Sequence, residues 1–364
     1  MTSLDDLAGL YERSGPFVTV YLDTTSSIEN AGGLLALRWK SDRRRLARAG
    51  ADEATLAAVD LEAEAGHTPG DTRAVIATDG SVLHVSNRPE PPIVEMARWA
   101  SLPVLGPLIA SRQASVPHVI VLADRTGGDI VAHPRLDLTF AVSVAGAEAH
   151  LTKSTPEGCS QPRLQQRAEN TWQDNAVLVA ATLSGVVDDV RPRVVIVGGD
   201  IRAVRLLKAA LPKRVLDRLH IVDGCRSDGT NGRFADGVAG VLRNAVAEET
   251  ESVLAEFREA RGRGPGAADG PGATLKALAE GRVDTLLVHD AAGDRRHAWF
   301  GPGLAQVAST RRAVRSNGPV ATDRRGRLVD IALRAAFGTG AQVRILPSLG
   351  MSGPKGGVGA LLRY

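Results

Sequence analysis

Two near-continuous apolar segments, 118–123 and 194–197, constrain the fold of this chain most. Neither alternates apolar with polar residues, so each reads as a strand buried on both faces. Between them Leu164, Ala168, Trp172, Ala176, Val179, Leu183 and Val187 recur at steps of four and three. That spacing places them on one face of a long helix. After the second strand, Gly198-Gly199-Asp200 turns the chain into a helix over 201–210, stopped by Pro212, and 220–222 form a further short strand. Strand, helix, strand with apolar strands predicts an α/β fold whose mixed or parallel sheet is covered by helices.

The flanking sequence repeats that alternation. Gly15-Pro16 precede a strand at 17–22, helices follow over 34–49 and 52–65, and Asp79-Gly80 marks a hairpin between 74–77 and 82–85. Pro91-Pro92 and Pro103 predict irregular chain before 105–109. Asp124-Arg125-Thr126-Gly127-Gly128 reads as a turn into a strand at 129–132. Past a long helix over 234–260, the Gly-rich run 261–272 with Pro265 and Pro271 predicts a flexible connector. A helix over 274–280 and a strand over 285–289 come next. Asp323 is the expected cap of a helix that buries Leu328, Ile331, Ala332, Ala335 and Ala336 and ends at Gly338 or Gly340. Strands at 342–346 and 359–363 close the chain. With 364 residues, at roughly 100–200 per domain, two or three domains are expected, and the chain reads as three blocks, 1–116, 117–260 and 273–364.

Composition excludes several classes. Aromatic residues are 4% against 43% hydrophobic, so the cores must be built from Val, Leu, Ile and Ala. The formal charge of +3 permits an RNA partner without demanding one. Cys159 and Cys225 follow no zinc-ligand spacing and imply no disulfide framework, which fits a reducing cytoplasm. Asp5 and Asp6 interrupt the N-terminus, so no secretory signal is expected, and no apolar run reaches the roughly 18 residues of a membrane span.

Familiar enzyme signatures are missing. Gly198-Gly199 lacks the three-glycine nucleotide spacing, and Asp200 reads as a helix cap. The Gly-rich tail at 353–359 opens no helix. His289 and His297 near Asp290 and Asp294 read as a surface turn rather than a metal site. Asp124 suits a nuclease only with a partner carboxylate, and Asp129, Asp200 and Asp223 cannot be placed around it from sequence. No metal and no cofactor are expected. Basic clustering says more. Arg38, Lys40, Arg43, Arg44, Arg45 and Arg48 load one helix around Trp39, as RNA phosphate contacts or as a solvated face. Arg311, Arg312, Arg315, Arg324, Arg325 and Arg327 form a second basic zone that reads as solvated. The most unusual stretch runs from Lys153 through Glu157-Gly158-Cys159-Ser160-Gln161-Pro162-Arg163 to Gln165, Gln166 and Arg167. It is a polar and basic loop feeding the long helix, with Ser160 as cap and Pro162 in the first turn.

Taken in order, these motifs resemble the bacterial homologues of the archaeo-eukaryotic class I release factors and Pelota. The resemblance rests on Val-Ile-Val-Leu-Ala-Asp-Arg at 119–125, the loop and helix at 153–172, and Val-Val-Ile-Val-Gly-Gly-Asp at 194–200. It extends to Val-Thr-Val-Tyr-Leu-Asp at 18–23, Gly-Arg-Val-Asp-Thr-Leu-Leu-Val at 281–288 and the C-terminal 357–364. It implies an N-terminal domain, a central ribonuclease-H-like mixed sheet carrying loop 153–162, and a C-terminal α/β domain like the kink-turn-binding proteins. It also implies a 70S ribosome partner, with contacts to 16S and 23S rRNA at the A site and the central loop in the peptidyl transferase centre. Aligning Ser160 and Arg163 with the family's downstream Ser and Arg puts Glu157-Gly158-Cys159 where the catalytic Gly-Gly-Gln stands. The amide that admits water is replaced by a thiol, a weak donor. Among relatives that do not hydrolyse, the chain most resembles the Balon-type ribosome hibernation factors. That likeness implies a non-enzymatic, cytoplasmic, stress-linked monomer, possible contact with elongation factor Tu, and no membrane partner. Implied RNA contacts are Lys153, Glu157, Gly158, Cys159, Ser160, Gln161, Arg163, Gln166 and Arg167 in the loop, and Arg38, Lys40, Arg43, Arg44 and Arg45 on the first helix. The alternatives are a peptidyl-tRNA hydrolase in ribosome rescue, working through Glu157 or Cys159, and a stress-induced tRNA- or RNA-binding protein.

Overall fold

A computed structural model describes residues 4–13, 15–24, 31–64, 72–88, 95–135, 138–146, 161–224, 232–291, 293–316, 323–347 and 353–364. The chain forms two compact units, Met1–Gln113 with Thr250–Tyr364, and Ala114–Glu249.

The first unit opens with α1 (Asp5–Ala8), β1 (Phe17–Asp23), α2 (Ala31–Arg48), α3 (Glu53–Glu64), β2 (Thr72–Thr78), β3 (Ser81–Arg88), β4 (Met96–Ala100) and α4 (Gly106–Ala114). Its sheet has the antiparallel order β3-β2-β1-β4. Val18, Val20 and Leu22 pack with Val75 and Ala77 against Leu35, Trp39, Leu46, Leu56 and Val59 of α2 and α3. Phe17 and Tyr21 point the other way into a second core. Burial on both faces explains why β1 reads as a continuous apolar run. The strand β4 stands where prolines predicted irregular chain, because Phe17 to Tyr21 supply it with a partner edge.

The second unit contains β5 (His118–Asp124), β6 (Gly127–Arg135), β7 (Leu138–Ala145), α5 (Gln161–Val190), β8 (Val194–Gly199), α6 (Ile201–Ala210), α7 (Lys213–Leu216) and β9 (Leu219–Ile221). Its strand order is β7-β6-β5-β8-β9, with β5, β8 and β9 parallel and the β5-β6-β7 meander antiparallel. This is the expected mixed sheet. One face, formed by Val119, Val121, Ile130 and Val197, packs under Val179, Leu183 and Val187 of α5 and Leu207 of α6. Val194 and Ile196 face the other way, onto Ala245. That residue belongs to α8 (Gly232–Arg263), whose later turns bury Phe257 in the first unit.

The remainder of the first unit is β10 (Ala267–Asp269), α9 (Pro271–Ala279), β11 (Val283–Val288), β12 (His297–Phe300), β13 (Val307–Ala308), α10 (Arg311–Ser316), β14 (Arg324–Arg327), α11 (Leu328–Gly338), β15 (Gln342–Ile345) and β16 (Val358–Leu362). Sheets β10-β16-β11-β15 and β13-β12-β14 flank α11, whose residues Leu328 to Ala336 are all buried. A helix apolar on every side is a core helix. The expected flexible connector is instead ordered structure. Gly264 and Gly270 take left-handed φ values of 108° and 94°, and between them Ala267–Asp269 pair with Leu361 to Gly359. Asp323 does not cap the following helix. Arg324–Arg327 form a strand against His297–Phe300, and the Asp323 carboxylate accepts from Arg311 and Arg315 at 2.7 and 3.2 Å.

The first and last blocks of sequence share one core. Leu7, Tyr11, Leu105 and Ile109 pack with Leu286, Ile331, Leu333 and Ala336, and the Tyr11 ring lies 5.7 Å from that of Phe337. Gln113 works like an extra strand residue: its Nε2 donates to Val343 O at 2.5 Å, and its Oε1 accepts from Ile345 N at 2.9 Å.

Asp330 lies inside this core, 1% exposed, with Oδ1 lacking a hydrogen-bond partner among the described residues. Burial pushes its pKa up from 3.8 to about 7, against the pull of Arg327 and with Asp290 adding to the rise. Between those values the folded protein holds a proton that the unfolded chain has lost. Asp330 therefore costs stability progressively as pH rises from about 4 through 7. Asp330→Asn is expected to melt near wild type at pH 5 and above it at pH 8; the same difference at both pH values would refute this assignment.

Candidate functional site: the root of the central loop and the basic helix

The turn after β5 ties together the end of β7, helix α5 and the start of α6. Asp124 Oδ1 accepts from Thr126 N and Thr126 Oγ1, each at 2.7 Å, which closes the turn. Thr126 O then takes the amide of Gly146 at 2.7 Å, tying down the residue at which the chain leaves β7 for the loop. A Cβ on Gly146 would stand 2.1 Å from Asn175 Oδ1, so only glycine admits so close an approach.

Arg125 links three elements. Its Cζ lies 4.7 Å from the centroid of the Trp172 ring on α5, its Nη2 is 3.3 Å from Asp200 Oδ2, and its carbonyl accepts from Asn175 Nδ2 at 2.9 Å. Asp200 caps α6, accepting from the amides of Arg202 and Ala203 at 3.0 and 3.2 Å. Partial burial opposes ionisation of Asp200, but the Ala203 amide and the Arg125 guanidinium outweigh it and hold the carboxyl below its usual range. Gly199, with φ 137°, lets the β8 terminus pass Ala123 O where a Cβ would stand 1.8 Å away. Asp124 and Asp200 are thus structural. Asp129 accepts from Ser143 Oγ at 2.6 Å, and Asp223 is exposed. No group of three His, Cys, Asp or Glu residues placed to hold a metal occurs among the described residues.

Anchored at Trp172 and Asn175, α5 begins eleven residues earlier, at Gln161. At 1.5 Å per residue its first turns run about 16 Å beyond the Arg125–Trp172 stack. Lys153, Glu157, Gly158, Cys159 and Ser160 lie outside the described residues. Gln161, Arg163, Gln166 and Arg167 lie on the first two turns of α5, where the backbone alone is described, as are Leu164, Gln165 and Ala168. Of the predicted apolar face, Ala176, Val179, Leu183 and Val187 are buried and Trp172 is partly so.

Helix α2 sorts its cations into two groups. Arg43 Nε binds Asp60 at 2.9 Å and its Nη2 reaches Glu53 at 2.5 Å, while the Trp39 indole donates to the same Asp60 at 2.8 Å. Those carboxylates hold the Arg43 pKa above its usual range. Arg38 pairs with Glu95 at 2.8 Å, and Arg45 with Asp42 at 2.8 Å and with Ala97 O at 3.2 Å. Arg43 thus ties α2 to α3, and Arg38 and Arg45 tie it to β4 and the residue before it. Lys40, Arg44 and Arg48 are exposed, with no ion-pair partner among the described residues. Their spacing of four makes one outward basic stripe. In the second zone Arg311 stacks 5.4 Å from the Trp299 ring and shares Asp323 with Arg315, while Arg324 and Arg325 are exposed. His289 Nδ1 meets Leu346 O at 3.1 Å, Asp290 pairs with Arg327, and Asp294 with Arg296 at 2.6 Å.

Residues 117–263, spanning β5 to the end of α8, match bacterial archaeo-eukaryotic release factor family 2. That stretch holds the whole β7-β6-β5-β8-β9 sheet and helix α5. The chain is 28% identical over 379 residues to the uncharacterized protein Rv2629 of Mycobacterium tuberculosis, covering 98% of this chain and 96% of the relative. Among solved structures it is similar to a ribosome-bound archaeal Pelota, at 17% identity, covering 100% of this chain and 94% of that one, with a TM-score of 0.39. It is also similar to Archaeoglobus fulgidus Pelota at 15% identity, 100% and 92% coverage and a TM-score of 0.36. Among the described residues no helix is long and apolar enough to cross a membrane.

Proposed function

We propose that this protein binds the ribosomal A site as a cytoplasmic monomer and silences idle ribosomes in the manner of the Balon-type hibernation factors. The carrying observation is helix α5, held at its Arg125–Trp172 stack, whose first turns run about 16 Å beyond that stack. A loop leading into such a helix suits a deep, narrow target such as the peptidyl transferase centre. There Lys153, Arg163, Gln166 and Arg167 would meet rRNA phosphates and bases, contacts that position without reading sequence. The Glu157-Gly158-Cys159 tip lacks the glutamine amide of a hydrolytic release factor, so the loop obstructs the centre without cleaving peptidyl-tRNA. The outward stripe Lys40, Arg44 and Arg48 supplies phosphate contacts from the N-terminal sheet, and elongation factor Tu is the proposed neighbour of the C-terminal part.

Purified protein is expected to co-sediment with 70S ribosomes at low salt and to be released as salt rises, while freeing no peptide from ribosomes that carry peptidyl-tRNA. Absence of co-sedimentation at low salt would overturn the reading. Peptide release abolished by Glu157→Ala or Cys159→Ala would establish a hydrolase instead.

A further inference from the structure

A cleft of about 330 Å³ opens in the first unit where β4, the start of α4, and the chain following β11 and β15 converge. That volume is at the small end of the roughly 300–1,000 Å³ typical of ligand sites. Its apolar lining is Met96, Pro107, Ala110, Ile345 and Leu346. Arg45, Arg98, Arg327 and His289 line it as well.

The carboxylates at this cleft are already engaged. Glu95 is bound by Arg38 at 2.8 Å and Asp290 by Arg327. Arg45 is held by Asp42. Arg98 differs: it is half-buried, and its side chain has no ion pair or hydrogen bond among the described residues. Burial lowers its pKa, the Arg327 charge lowers it further, and Asp330 and Asp290 oppose that fall without reversing it. A guanidinium taken from water without a partner is costly, so this position is incomplete as it stands. Leu346 O can only accept, so His289 Nδ1 must donate to it, and the second ring nitrogen is left for a ligand. The first residues of α4, Gly106 and Pro107, line the same cleft and turn the positive end of that helix toward it. Gly106 sits so close to Asp290 that a Cβ there would stand 1.8 Å from Oδ2, which keeps this wall tightly packed.

We propose that the cleft bounded by Arg98, Arg327 and His289 binds a small organic anion, a phosphate or carboxylate carried on a compact apolar body. The guanidinium of Arg98 supplies the ion pair, and the wall of Met96, Ala110 and Ile345 takes the apolar part. The cleft is too small for a nucleic acid or a folded partner. Because it joins the N-terminal sheet to the C-terminal sheet, an occupant would stiffen the first unit.

The test is calorimetric titration and thermal unfolding of the full chain with phenyl phosphate, benzoate and inorganic phosphate. Saturable binding of phenyl phosphate or benzoate that raises Tm is expected, and the tighter of the two identifies the anionic group. Inorganic phosphate is expected to bind about tenfold more weakly, having no apolar part to bury. Arg98→Gln is expected to weaken binding by about tenfold or more, the effect of losing a charge-assisted hydrogen bond, while raising the Tm of the ligand-free protein. No saturable binding of either organic anion, or undiminished affinity in Arg98→Gln, would overturn the proposal. Should Arg98→Gln not fold, Ala110→Phe fills the apolar end, and retained affinity in that variant overturns it equally.

Discussion

Changing Lys40, Arg44 and Arg48 together to glutamate is expected to weaken the proposed ribosome binding roughly a hundredfold and to flatten its salt dependence by nearly three in the log–log slope. The slope follows from about 0.9 counterions released per phosphate contact. These three side chains are exposed at every fourth position of α2 and hold no carboxylate among the described residues, so their positive charge is available to a phosphate backbone. Thermal stability should scarcely change, because no ion pair of the fold is broken. Reversing Arg38, Arg43 and Arg45 gives the contrasting result. Their carboxylate partners Glu95, Asp60, Glu53 and Asp42 would be left facing new glutamates, and Tm would fall. Reversal of Arg324 and Arg325 should weaken binding several-fold less than the α2 stripe does. Sedimentation across a salt series measures all three variants, and an unchanged slope in the first would remove α2 from the interface.

Arg334→Leu is expected to lose about 2–4 kcal/mol of stability, the cost of several carbonyls deprived of a charged donor. Arg334 is 5% exposed and donates to four consecutive carbonyls: Gly301 and Leu304 at 3.1 Å, Pro302 and Gly303 at 2.9 Å. Its guanidinium also lies 5.0 Å from the Phe300 ring. The side chain therefore sets the course of the 301–304 turn that joins β12 to β13 beside α11. Lysine has one ammonium where arginine has a planar fork, so Arg334→Lys should recover only part of the loss. Urea denaturation of the full chain checks both variants; a loss below about 1 kcal/mol for leucine would show that the turn holds itself.

Particular elements show what local sequence conveys. The runs at 118–123 and 194–197 are continuous because α5 and α6 cover one face of the central sheet and α8 the other, so a two-sided environment is written directly in composition. The Asp79-Gly80 turn was equally legible, since φ values of 48° and 72° suit those residue types. By contrast β10 is three residues long and exists only because Gly359 to Leu361, some ninety residues onward, offer it an edge. The same holds for β4, whose partner β1 lies some eighty residues earlier. The anchoring role of Asn175 also escaped the sequence, because nothing near it announces the Arg125 carbonyl fifty residues earlier.

The amino-acid sequence by itself determined the α/β class, the mixed central sheet and the long amphipathic α5. Those properties are local or periodic, and the residues that encode them are neighbours along the chain. Tertiary structure decided which arginines of α2 are braces and which face solvent, that the first and last blocks share a core through Tyr11, Gln113 and α11, and that Arg98 is left without a carboxylate. Most of those outcomes depend on a partner tens to hundreds of residues away, and ion pairing and burial are properties of proximity in space, which spacing along a chain does not record.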